Sequence, residues 1–559
     1  MRLLPSSLCF LPLFSLLCFL HLANSQSSPQ LPLVAPTNDD PPATKRVAII
    51  GAGPAGSSTA YHLRRFADLH SIPVNITIYD RNLTAGGRST TIHPFSDASQ
   101  PALELGASIF VSVNQIMVNA TRDFGLSTSR SMSALSRSEA KGTPDLGIWD
   151  GEKMVVLMQD ESSWWDLGKI VWRYGLAPWK TMKLMRRTVG KFLRMYDDVF
   201  PFLDLGSAVE DVGLLDVVSV TGKGYMERWE IRGAFGREVV QASTRVNYAV
   251  GVGEVSGVVA MVCMATEGAM SVEGGNWRVF EGMVERSGAK QGLGMEVVGV
   301  KEGKEGWEVR AKEVEGGKEE LDVFDDVVLA APYQFADVKF EGLRHTPEEV
   351  PYVQLHVTLL TSKHRLNPEV FGFEKGQKAP RAILTTTADD EGEQDPGFNS
   401  ISLLREVMNP MTKAPEFAYK IFTMEPVNST FLGRIFGLGD LAPNANIGKD
   451  DISWIYRKLW SSYPYEYPRV TFEQTKLAKR LWYTGGMDSF ISTMETNALM
   501  GKNVAQLMVD EWVDGTPEDE EAYFVSRSKE KEDALDHDDS EDSDVEDGGV
   551  TYIDDDDDD

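Results

Sequence analysis

Three glycines in the run Lys45-Arg-Val-Ala-Ile-Ile-Gly51-Ala-Gly53-Pro-Ala-Gly56 have the spacing needed to cradle a pyrophosphate. Gly51 permits a tight turn at the end of an apolar strand. Gly53 lets the backbone approach phosphate oxygens, and Gly56 lets the following helix pack close to that strand. The helix start then offers free N–H groups and the positive end of its dipole to the anion. Asp80, 24 residues after Gly56, closes the next β-branched run, where a carboxylate would accept hydrogen bonds from ribose hydroxyls. A glycine triplet alone carries little weight; here it sits in the strand–turn–helix–strand setting that dinucleotide binding requires.

The elements that must hold these residues can be read from periodicity. Residues 46–50 form a short buried strand, 55–66 a helix and 75–79 a second strand. Two alternating segments, 295–300 and 307–311, flank Glu302-Gly-Lys-Glu-Gly306 and predict a hairpin. Residues 325–330 read as a buried strand and 497–512 as an amphipathic helix. The fold class is α/β: a doubly wound, Rossmann-like dinucleotide-binding domain carrying an inserted α+β domain.

Beyond Asp80 the chain continues Arg81-Asn-Leu-Thr-Ala-Gly86-Gly87-Arg88, and later Glu104-Leu-Gly106-Ala-Ser108. This order of blocks resembles the amine-oxidase-like FAD flavoproteins, with a domain of the glutathione-reductase type. The resemblance implies FAD as cofactor, with Gly51, Gly53, Gly56, Asp80, Arg81, Gly87, Arg88, Glu104 and Gly106 around it. No second glycine fingerprint for a nicotinamide nucleotide is found; Gly251-Val-Gly253-Glu-Val-Ser-Gly257 has the wrong spacing. Oxygen is therefore the expected electron acceptor.

A narrower resemblance rests on Arg245-Val-Asn-Tyr248, on Val272-Glu-Gly274-Gly275-Asn276-Trp277, and on the block from Leu481 to Gly501 containing Gly485-Gly486-Met487-Asp488 and Glu495-Thr496-Asn497. Together these look like the prenylcysteine oxidase (prenylcysteine lyase) family, over Lys45 to about Trp512. The implied activity is FAD-dependent cleavage of the thioether of farnesyl- or geranylgeranyl-cysteine. Oxygen and water are consumed; cysteine, a prenyl aldehyde and hydrogen peroxide are formed. The carbon next to sulfur is allylic, so loss of hydride leaves a cation stabilised by both sulfur and the alkene. Water then adds, and the hemithioacetal collapses to aldehyde and thiol. Asn276 could orient water or the amino-acid end of the substrate, Arg245 could pair with its carboxylate, and Tyr248 lies nearby; each could equally make a structural hydrogen bond in a buried turn. Glu495 and Thr496 are expected to fix the flavin end of the cofactor. His93 reads as a satisfied structural histidine or a proton relay. An amine or polyene oxidoreductase on the same scaffold, or a silent flavin-containing lipid binder, are the competing readings.

Several classes are excluded or constrained by composition. The net charge of −29 is concentrated at one end: residues 516–559 carry 21 acidic and 3 basic side chains. That segment is too polar to repay ordering and is expected to be a disordered acidic tail. Nothing resembles a basic nucleic-acid stripe. No metal-ligand pattern or nucleophilic serine motif is evident. Residues 1–25 read as a cleavable signal peptide and 26–44 as a flexible linker, placing the chain in the secretory pathway, with a lysosome, vacuole or secretion as destination. No transmembrane span is expected in the mature chain. Cys263 alone survives processing, so no internal disulfide is expected. Asn75, Asn82, Asn119 and Asn428 open glycosylation sequons, although Asn75 begins a strand.

The expected organisation is a discontinuous FAD-binding domain from residues 45–124, 274–334 and 471–512, with a substrate domain from 125–273 and 335–470. In the latter, Trp164, Trp165, Trp172 and Trp179 with Met182 and Met185 could line a prenyl slot, its mouth at a membrane surface, or simply belong to the core.

Overall fold

The computed structural model describes residues 43–129, 139, 141–158, 171–343, 345–386 and 395–515. The expected signal peptide and acidic tail, with Trp164 and Trp165, lie outside the described residues.

Strand β1 (Lys45–Ile50) leads through Gly51 into helix α1 (Pro54–Leu69) and then strand β2 (Val74–Asp80). β1 is the centre of a six-stranded sheet. Its parallel neighbours are β2 on one side and Asp326–Leu329 on the other; Lys290–Leu293 lies outside β2 and Leu481–Tyr483 outside Asp326–Leu329. The short strand Lys476–Ala478 adds an antiparallel edge. In chain order the five parallel strands run 3-2-1-4-5, so the order reverses between β1 and Asp326–Leu329. A crevice opens at such a reversal, outside the carboxyl ends of the strands, and the Gly51 turn sits there.

The two-residue period of β1 explains its near-continuous apolar sequence. Val47 and Ile49 enter one core beneath α1, while Ala48 and Ile50 enter another against a small second sheet. That second sheet consists of Met295–Glu302, Trp307–Glu313, Glu319–Phe324 and Lys339–Glu341. Its first two strands form the expected hairpin, closed by the Gly303 N–H donating to the Gly306 carbonyl at 2.8 Å. The opposite face is covered by α1, by the helix Trp277–Ser287 and by the long helix Met494–Asp514. Gly501 makes the crossing of α1 and the long helix possible: a Cβ there would lie 2.1 Å from the Ala55 carbonyl oxygen.

The remaining residues build a seven-stranded, mostly antiparallel sheet and a helical layer. Strand Pro415–Thr423 lies inside that sheet, between Tyr352–Ser362 and Ser400–Met408. Tyr419 and Ile421 pack into the core on one face, Ala418 and Phe422 into the core on the other. The second core also takes in Leu103 and Leu105, so this sheet face lies against the Glu104 segment. No described helix is long and apolar enough to cross a membrane.

Candidate active site

The phosphate cradle follows directly from the glycines. Gly51 has φ +104°, and a Cβ there would stand 2.8 Å from the Ala330 carbonyl oxygen. A Cβ on Gly56 would lie 1.9 Å from the Gly51 oxygen, which no side chain can tolerate. Gly53 is different: its nearest neighbour would be the Gly87 Cα at 3.9 Å, so it faces open space bounded by the Gly86–Gly87 loop. α1 begins at Gly53 with Pro54 in its first turn, no capping side chain and no acidic residue there, leaving its N–H groups and dipole for an anion. Asp80 accepts from the Ala52 N–H at 2.8 Å and from the Asn82 backbone and side chain at 2.8 and 2.9 Å, which fixes its carboxylate beside the turn.

Three distant segments converge on this turn. Gly86 donates to the Ala52 carbonyl at 2.8 Å, and a Gly87 Cβ would approach the Gly53 Cα at 3.1 Å. Arg88 then donates to both oxygens of Asp488, at 3.0 and 3.1 Å, and to the Ser462 carbonyl at 2.9 Å. Burial alone would lower the Arg88 pKa, but Asp488 outweighs it and the guanidinium is held charged. Burial would likewise raise Asp488, yet Arg88, Asn497, Ser492 and Tyr352 hold it below the usual carboxylate range. Gly106 completes the convergence: a Cβ there would lie 2.0 Å from the Arg88 oxygen and 3.0 Å from the Trp460 ring.

Four buried polar atoms near this convergence have no protein partner: Ser89 Oγ, Glu104 Oε2, Glu466 Oε2 and Trp460 Nε1. Such atoms are costly unless something else satisfies them. With the cradle glycines, they fit a dinucleotide cofactor bound across the crevice.

Lys420 brings a cation into the apolar sheet face. Its Nζ donates to the Gly106 carbonyl at 3.1 Å and to Ser108 Oγ at 2.9 Å. Burial pulls its pKa down to about 8, opposed by the Glu104 charge. Burial pushes Glu104 up to about 7, opposed by the Asn276 N–H and by Lys420. Each charge thus opposes the burial that would neutralise the other. Burial holds Glu466 well above the usual carboxylate range; its Oε1 accepts from the Ser492 N–H.

The sequence candidates are only partly assembled here. Asn276 is fully buried, and its amide is spent on the backbone: Oδ1 accepts from Val272 N–H at 2.9 Å and Nδ2 donates to the Ala107 carbonyl at 3.1 Å. Its N–H donates to Glu104 at 2.7 Å, so it positions Glu104. Tyr248 joins the Arg88 side, packing edge-on against Tyr463 with its hydroxyl 3.5 Å from the Ser492 carbonyl. Arg245, one helical turn earlier, points elsewhere: it meets Thr385 Oγ1 at 3.2 Å and Asp395 at 3.3 Å. Asp395 lines a separate cavity of about 530 Å³ with Trp149, Phe371 and Arg434, which no cofactor-loop residue lines.

Glu495, Thr496 and Arg81, expected at the cofactor, are claimed by the fold itself. Both oxygens of Glu495 are taken by the Ile116 and Met117 N–H groups and the Tyr196 hydroxyl, so it caps the neighbouring helix Gln115–Asp123. Thr496 completes a capping box with Thr493. Arg81 is committed to the Phe335 carbonyl and to Asp337 at 3.3 Å. His93 pairs with the Gln100 carbonyl at 2.8 Å, as a structural histidine would. Cys263 is buried, with burial pushing its thiol pKa well up, and offers no nucleophile. Asn75, Asn82, Asn119 and Asn428 are all exposed, although Asn428 also caps a helix through Phe431 N–H at 2.9 Å. Trp172 and Trp179 are exposed.

Comparison with known proteins agrees with this arrangement. A family model described as NAD(P)-binding Rossmann-like domain matches residues 49–121. Cyclohexylamine oxidase from Brevibacterium oxydans shares the fold at a TM-score of 0.52 and 16% identity, over 84% of this chain and 99% of that one. Farnesylcysteine lyase of Arabidopsis thaliana is 26% identical over 494 residues, 85% of this chain and 90% of the relative. Prenylcysteine oxidase 1 of Rattus norvegicus is 27% identical over 490 residues, 84% and 89% of the two chains. The prenylcysteine lyase family model matches residues 157–521, most of the chain beyond the dinucleotide-binding unit, and the protein belongs to that family.

Proposed function

We propose that this chain is an FAD-dependent oxidase that cleaves prenylcysteine. The observation that carries the reading is the coincidence of an intact phosphate cradle at the sheet's reversal point with family membership across residues 157–521. The reaction takes a prenylcysteine thioether, oxygen and water to cysteine, a prenyl aldehyde and hydrogen peroxide, which balances in atoms and electrons.

Gly51, Gly53, Gly56 and Gly87 would hold the pyrophosphate, Asp80 the ribose, and Arg88 with Glu104 and Gly106 the remainder of FAD. Bound FAD would supply the two-electron oxidation at the carbon next to sulfur and pass the electrons to oxygen. The chain's own residues do the rest. Asp488 fixes Arg88; Asn276 fixes Glu104; Glu104 and Lys420 hold and move a proton as water adds and the thiol leaves. Leu103, Leu105, Leu355 and Phe422 pack in one core beside Glu104 and Lys420, which keeps that pair away from bulk water. Export through the secretory pathway to a lysosome, vacuole or the exterior belongs to the same proposal, resting on residues 1–25. Peroxide release with farnesylcysteine but not with amines or polyenes is the test of substrate class.

A further inference from the structure

The helix Ala177–Leu193 presents an unusual outer face in an acidic protein. Residues 171–196 contain seven basic side chains and no Asp or Glu, within a chain of net charge −29. The same stretch exposes large apolar groups: Trp172 is 88% exposed, Leu176 68%, Trp179 63% and Met182 49%. The inner face is ordinary core, with Thr181, Leu184, Thr188 and Phe192 buried. Trp172 is not exposed through looseness. Its neighbour Arg173 is bound to Glu238 at 2.6 Å, and Tyr174 packs edge-on against Phe235 and donates to Glu238 at 2.6 Å.

Cations and indoles alternate across the patch. Lys183 lies 5.8 Å over the Trp179 ring, and Arg187 lies 4.9 Å over the ring of Trp229, itself 44% exposed. Lys180 pairs with Glu230 at 3.1 Å, and Arg186 approaches Glu267 at 4.0 Å. Lys183 and Arg187 have no carboxylate partner among the described ion pairs. Exposed indole and leucine beside lysine and arginine is the composition of a helix that lies in a lipid headgroup layer, the rings at the acyl boundary and the cations on anionic phosphates. The inner end of the helix is anchored in the core: Phe192 packs 6.3 Å from Phe490, and Tyr196 donates to Glu495.

We infer that the face formed by Trp172, Leu176, Trp179, Met182, Lys183 and Arg187 docks this enzyme on an anionic phospholipid surface. The inference goes beyond the substrate reading and does not depend on it. An isoprenoid amino acid released into a bilayer would then reach the enzyme without crossing water.

The test is flotation of the full mature chain with phosphatidylcholine vesicles, with and without phosphatidylserine. The expected result is flotation only with the anionic vesicles, reversed by salt, and reduced about tenfold or more by W172S/W179S and by K183E/R187E. Both variants should keep the flavin absorbance, which separates lost docking from lost folding. Flotation that neither variant weakens would overturn the assignment, as would no flotation of the full chain. Flotation seen only after removal of residues 516–559 would also overturn it, making the acidic tail the occupant of this face.

Discussion

Arg88 and Asp488, four hundred residues apart, form a two-pronged ion pair at 3.0 and 3.1 Å that ties the Gly86–Arg88 loop to the Gly485–Ser489 turn. Asp488 also receives Tyr352, Ser492 and Asn497. Truncating Asp488 leaves the Arg88 charge without its partner; because the Arg88 side chain is 34% exposed, the loss falls below the ~3–5 kcal/mol of a fully buried pair. D488A is therefore expected to be purified with little or no flavin and a lowered melting temperature. Flavin content per polypeptide after gel filtration checks this, and D488N should fall between wild type and D488A.

The glycines make a sharper prediction because their environments differ. G56A has no room, 1.9 Å from the Gly51 oxygen, and is expected to lose both fold stability and FAD. G53A meets no protein atom nearer than 3.9 Å and should keep its melting temperature while its methyl group blocks the phosphates. Thermal unfolding of the apoproteins beside FAD titration separates the two outcomes. Equal loss of stability in both variants would contradict the cradle geometry.

Glu104 and Lys420 set a pH dependence. Burial puts the carboxyl at about 7 and the ammonium at about 8, and the Glu104 charge is what holds Lys420 up. Without that charge the Lys420 pKa falls further, so E104Q should move the alkaline limb of the kcat/KM profile to lower pH. K420M should abolish that limb and slow turnover by about a hundredfold or more, the usual scale of a lost proton-handling group. K420R, permanently charged, should resemble K420M in rate. A profile unchanged in E104Q would remove the pair from the mechanism.

Asp326 affects stability instead. It is buried in the sheet and receives the Trp482 and Trp512 indole N–H groups at 3.1 and 3.0 Å, yet burial raises it to about 6. The folded chain thus binds this proton more tightly than the unfolded chain. The stability it lends is complete below the ordinary carboxylate value and is lost as pH rises through about 6. The loss is of order 3 kcal/mol, from a shift of about two pKa units. D326N should flatten the fall in melting temperature across that window, measured by scanning fluorimetry at a series of pH values.

What could be read in the sequence followed from how local each requirement is. Gly51, Gly53, Gly56 and Asp80 act within one βαβ unit, where turn, helix start and ribose acid are fixed by spacing; the same holds for the hairpin at Gly303–Gly306. Lys420 is invisible in the sequence because its chemistry comes from burial against Gly106 and Ser108, more than three hundred residues away, and Glu466 because its chemistry comes from a burial that no local pattern announces. The one available signal for Lys420 is a lysine between Ala418 and Phe422, within the apolar run Phe417–Phe422. Glu495 looked like a cofactor ligand from its place at a helix start; only the fold reveals that Ile116, Met117 and Tyr196 claim both its oxygens. Arg245 and Tyr248 share one helix, yet Arg245 reaches Thr385 and Asp395 while Tyr248 reaches Tyr463 and Ser492.

The most direct test of the account is an anaerobic titration of the purified holoenzyme with farnesylcysteine, following flavin absorbance, then readmission of air with assays for peroxide and free thiol. Bleaching at one equivalent, recovery of the yellow colour in air, and peroxide, cysteine and prenyl aldehyde in equal amounts are the expected results. A flavin that stays oxidised under saturating farnesylcysteine, or bleaches with amines instead, would contradict it.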